Sequence, residues 1–395
     1  MTPAWTPETI AWLWTEALAH GFDLAGVAPA PAPSDPAGAQ TAARFTSWID
    51  TGRAGEMDYL KRRAESGDLL RASARTAIPW ARSVVVCALN YNLAGPNSEP
   101  DSPPSPAPAS IDPASPQSGW IARYAWTGDD LGRPLDYHDD LLRRLRAIEA
   151  DLTAKIPCQT RCYVDTGPLL ERDFAARAGI GWIGKNTCLI DQQLGSWLLL
   201  GVIVTSLPVA ATLATAPDRC GTCTRCIDAC PTAALIQPYQ MDASLCISYL
   251  TIEKKGEIPV ELRERMGRQV FGCDICQEVC PWNQTDGNRR APIAQTSGLT
   301  RRDELINPSL TWLAELDAPA FKHEFAGSPL ERTKRSRLHR NVAIAMGNSA
   351  DQTFAPKLEA WSHSEDPVLR EAAAWALDRL RQTNPETPED SPASA

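Results

Sequence analysis

The sequence predicts a multidomain α+β protein: an α/β N-terminal domain, a cysteine-rich middle and an α-helical C-terminus. Three observations carry this. Short β-branched runs alternate with amphipathic stretches up to about residue 210, the pattern of an α/β domain. Eight of the cysteines fall between Cys220 and Cys280. From Asn307 to Leu380 the chain reads as helix throughout. Its 395 residues exceed one typical domain.

Trp5, Ile10, Leu13, Trp14 and Leu18 have helical spacing that ends at Gly21, and Leu24 to Ala28 is a short strand. Ser83 to Leu89 is an unbroken β-branched run, the pattern of a buried parallel strand. Pro, Ser and Ala dominate residues 95–119, a composition that cannot build a core and predicts a disordered surface insertion. Asp139 to Leu152 is a helix with Leu141, Leu142, Leu145 and Ile148 on one side. Arg161 to Val164 reads as a strand, and Pro168 to Ala178 as a helix with proline in its first turn. Two further strands are expected at Thr187–Ile190 and Trp197–Thr205. Late in the chain, Arg337–Met346 and Pro367–Leu380 are amphipathic and recur at an offset of about thirty residues, as paired helices of HEAT-type repeats do. The expected domains are therefore 1–210, 211–290 and 300–382, followed by a disordered tail, 383–395, rich in Pro, Glu and Ser.

A hydrophobic content of 43% is ordinary for a soluble protein, and no apolar run approaches membrane-spanning length. The first eighteen residues lack a basic segment ahead of an apolar one, so a secretory signal is not expected and the cytoplasm is. A net charge of −9 argues against a broad basic surface. Basic residues nevertheless gather late, at Arg289, Arg290, Arg301 and Arg302, then at Arg332, Lys334, Arg335, Arg337 and Arg340. They suit either a solvated helix surface or a phosphate-binding face.

Twelve cysteines in a long chain without a signal favour metal ligation over a disulfide scaffold. Cys220-x2-Cys223-x2-Cys226-x3-Cys230-Pro231 is the bacterial ferredoxin run in full. Its compact loop aims three thiolates at one cubane while the fourth reaches a second cluster. Zinc sites more often pair two distant CxxC knuckles, and clustered thiolates suit soft iron–sulfur centres. The second half, Cys273-x2-Cys276-x3-Cys280-Pro281, is one cysteine short, and Cys246 supplies it from upstream of a 26-residue insertion. The crossed pattern assigns Cys220, Cys223, Cys226 and Cys280 to one [4Fe–4S] cluster, and Cys230, Cys246, Cys273 and Cys276 to the other. Cys87, Cys158, Cys162 and Cys188 lie in or beside expected strands, where core packing is their role.

Four longer motifs stand around this region: Tyr163-Val164-Asp165-Thr166-Gly167-Pro168, Gly181-Trp182-Ile183-Gly184-Lys185-Asn186, the stretch Cys246 to Glu253, and Phe271-Gly272-Cys273-Asp274-Ile275-Cys276. In this order, over nearly the whole chain, they resemble the epoxyqueuosine reductase family. The resemblance implies a cobalamin-binding α/β domain, a two-cluster ferredoxin-like domain and a HEAT-like C-terminus. It further implies reduction of epoxyqueuosine to queuosine at the tRNA wobble position. The cofactor would be cobalamin, base-off at cobalt, with electrons relayed by the clusters from an external flavodoxin or ferredoxin. The tRNA anticodon stem–loop would be the partner of a monomeric, membrane-free enzyme.

Asp165, at the carboxyl end of an expected strand, matches the family's catalytic aspartate and would protonate the alkoxide left by epoxide opening. To carry a proton near neutrality it would need a pKa raised by desolvation, while helix capping suits Asp at such a position equally well on sequence alone. Lys185 and Asn186 are expected to donate to the corrin amides or phosphate, although the glycines around them also suit a bare tight turn. Arg123, Tyr124, Tyr137 and His138 match a segment near the corrin, interrupted here by an insertion at roughly 127–135, and Met57 is expected in the same pocket. Arg335, Arg337 and Arg340 are candidates for tRNA phosphate. Rival readings are a corrinoid reductive dehalogenase, a plain electron carrier, and an RNA-binding adaptor with structural clusters. The carrier leaves two hundred N-terminal residues without a role, and corrinoid content together with turnover separates all of them.

Overall fold

The computed structural model describes residues 3–98, 115–210, 215–283, 294 and 298–383. Most of the proline-rich segment expected at 95–119, Arg289, Arg290 and the tail after 383 lie outside these residues.

The N-terminal half is organised on a four-stranded sheet in the order Leu24–Pro29, Ser83–Asn90, Leu198–Thr205, Thr160–Tyr163. Every neighbouring pair is antiparallel, with Val85 opposite Val27 on one side and Ile203 on the other. The expectation that Ser83–Leu89 forms a parallel strand is therefore corrected. Its unbroken apolar run reflects burial on both faces, not strand direction. Successive side chains alternate between two cores. Val85, Cys87 and Leu89 meet the helices Pro7–Ala19 and Tyr137–Lys155, whereas Val84, Val86 and Ala88 meet Phe174 and Ala175 of the helix Glu171–Arg177. That last helix starts later than expected, because Pro168 and Leu169 belong to the loop before it and Leu170 is its N-cap.

One helix delivers Tyr137 and His138, and local chemistry fixes its start. The Asp136 side chain accepts the His138 N–H and caps Tyr137–Lys155, leaving Tyr137 and His138 in the first turn. This helix lies close on the sheet at Gly201, where an added Cβ would stand 2.7 Å from the Leu145 Cδ1. Gly201→Ala would crowd the Leu145 side chain there and force it to repack. A helix at Pro36–Asp50 went unread in the sequence, since its apolar face is carried only by Phe45 and Ile49 beside Gly38 and Thr41.

The insertion between Cys246 and Cys273 forms the helices Ile247–Ile252 and Val260–Arg263 and the strand Gln269–Phe271, which pairs in parallel with Trp120–Ile121. Its Ile247, Leu250, Val270 and Phe271 share one hydrophobic core with Leu338, Val342 and Met346 of the helix Lys334–Asn348. Asn341 Nδ2 donates to the carbonyls of Thr251 and Val270. The helices Lys334–Asn348, Ala355–Ser362 and Pro367–Thr383 pack together, with Gly347 against Ala376. No helix among the described residues is long and apolar enough to cross a membrane.

Candidate active site

A cavity of about 1570 Å³ separates the sheet-bearing half from the cysteine loops. Tyr137, Asp165, Leu170, Glu171, Trp182 and Gln277 are among the residues that line it. Pockets for small ligands run to about 300–1,000 Å³, so this one suits a bulkier guest. Gln277 lies between two expected cluster ligands, Cys276 and Cys280, which makes a cysteine loop one wall of the cavity.

Asp165 sits just past the strand Thr160–Tyr163 with φ of +52°, a left-handed conformation that Asp tolerates better than most residues. Gly167 makes the turn possible, because a Cβ there would stand 2.6 Å from the Tyr163 ring. Arg71 pins the loop by donating to the Asp165 and Leu169 carbonyls at 3.0 and 3.2 Å. About half of the Asp165 side chain stays accessible, at 49%.

The Asp165 carboxylate is held by a ring of donors. Tyr137 Oη donates to Oδ2 at 2.5 Å, and His138 Nε2 lies 3.3 Å from the same oxygen. His138 Nδ1 is 3.1 Å from Asp136 Oδ1, and Arg332 reaches Asp136 at 2.5 Å with its guanidinium over the Tyr137 ring. Burial disfavours charge on Asp165, but the His138 and Tyr137 bonds outweigh it and hold the carboxyl below the usual range. Burial also opposes a charged His138, and the Asp136 and Asp165 carboxylates reverse this and raise its pKa. The resting site therefore lowers the Asp165 pKa, where carrying a proton near neutrality would need it raised. The raised carboxyl is Glu171, pushed well up by burial and by the Asp165 charge beside it.

Of the other expected cofactor contacts, Tyr137 lines the cavity and the rest do not. Lys185 Nζ donates to the carbonyls of Gly221 and Cys223 at 2.6 and 2.8 Å. Asn186 Nδ2 donates to the Cys276 carbonyl at 3.3 Å while its oxygen accepts the Cys188 N–H. The turn that carries them therefore fastens one residue to each cysteine loop. Arg123 is buried between the Trp126 and Trp197 rings and donates to the Leu93 carbonyl and Asn97. Tyr124 is partly buried and stands edge-on to Tyr137, and Met57 packs beside the C-terminal core. His138 stands behind the cavity wall, its Nε2 3.3 Å from the Asp165 carboxylate. Of the phosphate candidates, Arg335 is exposed, Arg337 bonds the Thr333 and Glu253 carbonyls, and Arg340 is fully buried on the carbonyls of Leu250, Lys254 and Gly256. Sequence reasoning passed over Glu171, Arg71 and a direct site role for Arg332. Glu171 left only a weak signal, an acid six residues after Asp165 in the first turns of an expected helix.

The cysteines fall into two sets of electrostatic neighbours. Cys226 feels Cys220 and Cys223, and Cys280 feels Cys220 and Cys226. Cys246 feels Cys230, Cys273 feels Cys246, and Cys276 feels both Cys273 and Cys246. Burial pushes the Cys226 thiol up to about 11 and the Cys280 thiol up to about 12, so metal uptake at these positions displaces protons. Two sets of four soft sulfur donors fit two cubane clusters. Cys188 stands beside Cys276 at the cavity edge.

Fold and site together define a two-cluster iron–sulfur oxidoreductase with a cofactor-sized cavity against one cluster loop. The family model described as a 4Fe-4S double cluster binding domain matches residues 219–283, and the one described as epoxyqueuosine reductase QueG, DUF1730, matches residues 71–166. The chain is 37% identical to an epoxyqueuosine reductase of Xanthomonas campestris, over 85% of this chain and 87% of that protein. It is 34% identical to the Escherichia coli epoxyqueuosine reductase, over 85% and 81%. A crystal structure of epoxyqueuosine reductase with an epoxyqueuosine-modified tRNA stem loop superposes with a TM-score of 0.77 at 30% identity, covering 94% of this chain and 90% of that one. The Bacillus subtilis enzyme, with its catalytic loop swung out of the active site, gives 0.74 at 27% identity, covering 97% and 95%. The chain belongs to the epoxyqueuosine reductase family.

Proposed function

We propose that this protein reduces epoxyqueuosine in tRNA to queuosine at the wobble position, with Asp165 as the group that passes a proton to the opened epoxide. The observation that carries the reading is the Asp165 carboxyl at the wall of a 1570 Å³ cavity, with a cysteine loop forming part of another wall. Two [4Fe–4S] clusters are held by Cys220, Cys223, Cys226 and Cys280, and by Cys230, Cys246, Cys273 and Cys276, which the neighbour relations of the thiols support.

Cobalamin, base-off at cobalt, is the guest we infer for the cavity. The size of the space and its apolar Leu170, Trp182, Ile183, Leu198 and Leu200 support a large ring lying against these side chains. When bound there, it supplies a strongly nucleophilic low-valent metal centre. The chain's own residues do the rest. Arg71 and Gly167 fix the Asp165 loop, Tyr137 and His138 aim its carboxylate, and the apolar wall excludes water.

The tRNA anticodon stem–loop is the substrate, and exposed Arg335 remains a phosphate contact in this reading. Electrons come from an external flavodoxin or ferredoxin. The three-part division into 1–210, 211–290 and 300–382, the HEAT-like character of the last part, the monomeric state and a cytoplasmic location complete the proposal. The mutual packing of the helices Lys334–Asn348, Ala355–Ser362 and Pro367–Thr383 supports the helical-repeat part.

The test is Asp165→Ala in anaerobically reconstituted enzyme. Conversion of epoxyqueuosine in tRNA should fall by about 10²–10⁴-fold while corrinoid stays bound. Unchanged conversion would remove Asp165 from the reaction.

A further inference from the structure

Restoring queuosine from its epoxide removes one oxygen. By balance this consumes two electrons and two protons and releases one water. The inference that follows rests on that proposed reaction and concerns where the first proton waits. Asp165 is the group next to the cavity, yet the resting site is built to keep it charged. Tyr137 Oη and His138 Nε2 both address its Oδ2. A carboxyl held as the anion cannot by itself be the proton source.

The neighbouring carboxyl is Glu171, the first residue of the helix Glu171–Arg177, which lines the same cavity. Its carboxyl neighbours that of Asp165, and its Oε1 is buried with no hydrogen-bond partner among the described residues. A buried carboxyl oxygen without a donor is tolerable for a neutral acid and costly for an anion. Two neighbouring carboxyl groups hold one proton between them, and the donors around each decide its place. Asp165 has two donors to its carboxylate. Against these, the Asp165 backbone N–H and the Arg71 charge favour an ionised Glu171 more weakly, since Arg71 itself is engaged by the Asp165 and Leu169 carbonyls and burial and the Asp165 charge act the other way. The proton therefore lies on Glu171. Tyr137 and His138 on one side, Arg332 above Tyr137, and Arg71 with Tyr59 on the other are the titratable and charged groups that face the pair.

We propose that Glu171 is the resident proton store behind Asp165. The O–H bond of Glu171 breaks as Asp165 takes the proton, and Asp165 releases it to the oxygen of the opening epoxide. Glu171 is left as the carboxylate and is reprotonated from solvent by way of Asp165 and the protonated His138 imidazole. The second proton follows the same route, and the oxygen leaves as water. The two electrons arrive from the external donor through the iron–sulfur clusters, so Glu171 undergoes no redox change. Glu171 acts through Asp165 and is a positioning residue, not a catalytic one.

The test uses the anaerobic holoenzyme labelled with [¹³C]glutamate, and infrared spectroscopy reads the carboxylic-acid C=O band. At neutral pH the wild type should show a ¹³C-shifted acid band that disappears in Glu171→Gln and bleaches well above the ordinary carboxyl range. In Asp165→Asn the same band should bleach at lower pH, because the neighbouring negative charge is gone. In single-turnover assays on epoxyqueuosine tRNA, Glu171→Gln should be slowed about 10²-fold at neutral pH. It should recover as the pH falls and Asp165 protonates directly, and Glu171→Asp should retain most of the rate. Absence of a glutamic-acid band at neutral pH in the wild type would overturn the proposal, as would a Glu171→Gln pH profile that superposes on the wild type. A wild type that shows the band but converts no epoxyqueuosine would sink the reaction and spare the proton assignment.

Discussion

Tyr137 Oη and Asp165 Oδ2 stand 2.5 Å apart, so the first residue of one helix grips the carboxylate that follows a strand of the sheet. A hydrogen bond to a charged group is worth about 1.5–3 kcal/mol, and one pKa unit corresponds to about 1.4 kcal/mol. Tyr137→Phe removes a donor from the charged form and must raise the pKa of the carboxyl pair. The pH profile of single turnover should then move up by about one to two pH units. A profile that stays in place would show that the bond does not tune the carboxylate.

Lys185 ties the turn Gly184–Cys188 to the loop of Cys220 and Cys223 through two carbonyls. Lys185→Met leaves both carbonyls short of a donor and loosens that loop. Anaerobic chelator challenge should strip iron about ten-fold faster, with corrinoid affinity changed by less than about two-fold. Lost corrinoid with intact iron would instead return Lys185 to the cofactor.

Arg340 is fully buried and donates to the Leu250, Lys254 and Gly256 carbonyls, which joins the C-terminal helices to the cysteine-region insertion. Arg340→Met should cost at least about 2 kcal/mol in urea unfolding, since several buried acceptors lose their partner. The salt dependence of tRNA binding should not change. Weaker tRNA binding at unchanged stability would place Arg340 on phosphate after all.

Glu171 has a folded-state pKa raised above its ordinary 4.5 by burial and by Asp165. Such a group contributes stability that is fully present below its unfolded pKa and is lost as pH rises through the folded one. Glu171→Gln does not ionise, so its melting temperature relative to the wild type should improve as pH rises above the ordinary carboxyl range, until Glu171 is ionised in the wild type. His138, whose pKa is also raised, loses its contribution as pH rises in both proteins and drops out of the difference. A pH-independent difference would mean that Glu171 is ionised throughout.

The cysteine spacing was legible because ligation to a shared cluster restricts where thiolates can stand along a loop. The two-sided burial of Ser83–Asn90 was legible too, although its strand direction was not, since apolar runs record coverage and not polarity. Lys185, Asn186 and Arg123 illustrate the limit. A sequence shows that donors exist, but the carbonyls that claim them, such as Gly221, Cys276 and Leu93, come from distant segments. Glu171 was hidden by its setting, because an acid in the first turn of a helix is ordinary complementation of the helix dipole. Only the fold brings it against Asp165. Arg332 looked like one of a surface basic run, yet it lies over the Tyr137 ring and pairs with Asp136.

The central claim is that paired cubanes feed electrons to a corrinoid in the cavity beside Asp165. Its most direct measurement is anaerobic isolation followed by metal and corrinoid analysis and an assay on epoxyqueuosine-containing tRNA. The account predicts about eight irons per chain, stoichiometric corrinoid uptake, and conversion that requires both. Zinc in place of iron, or full iron with no corrinoid uptake and undiminished conversion, would contradict it.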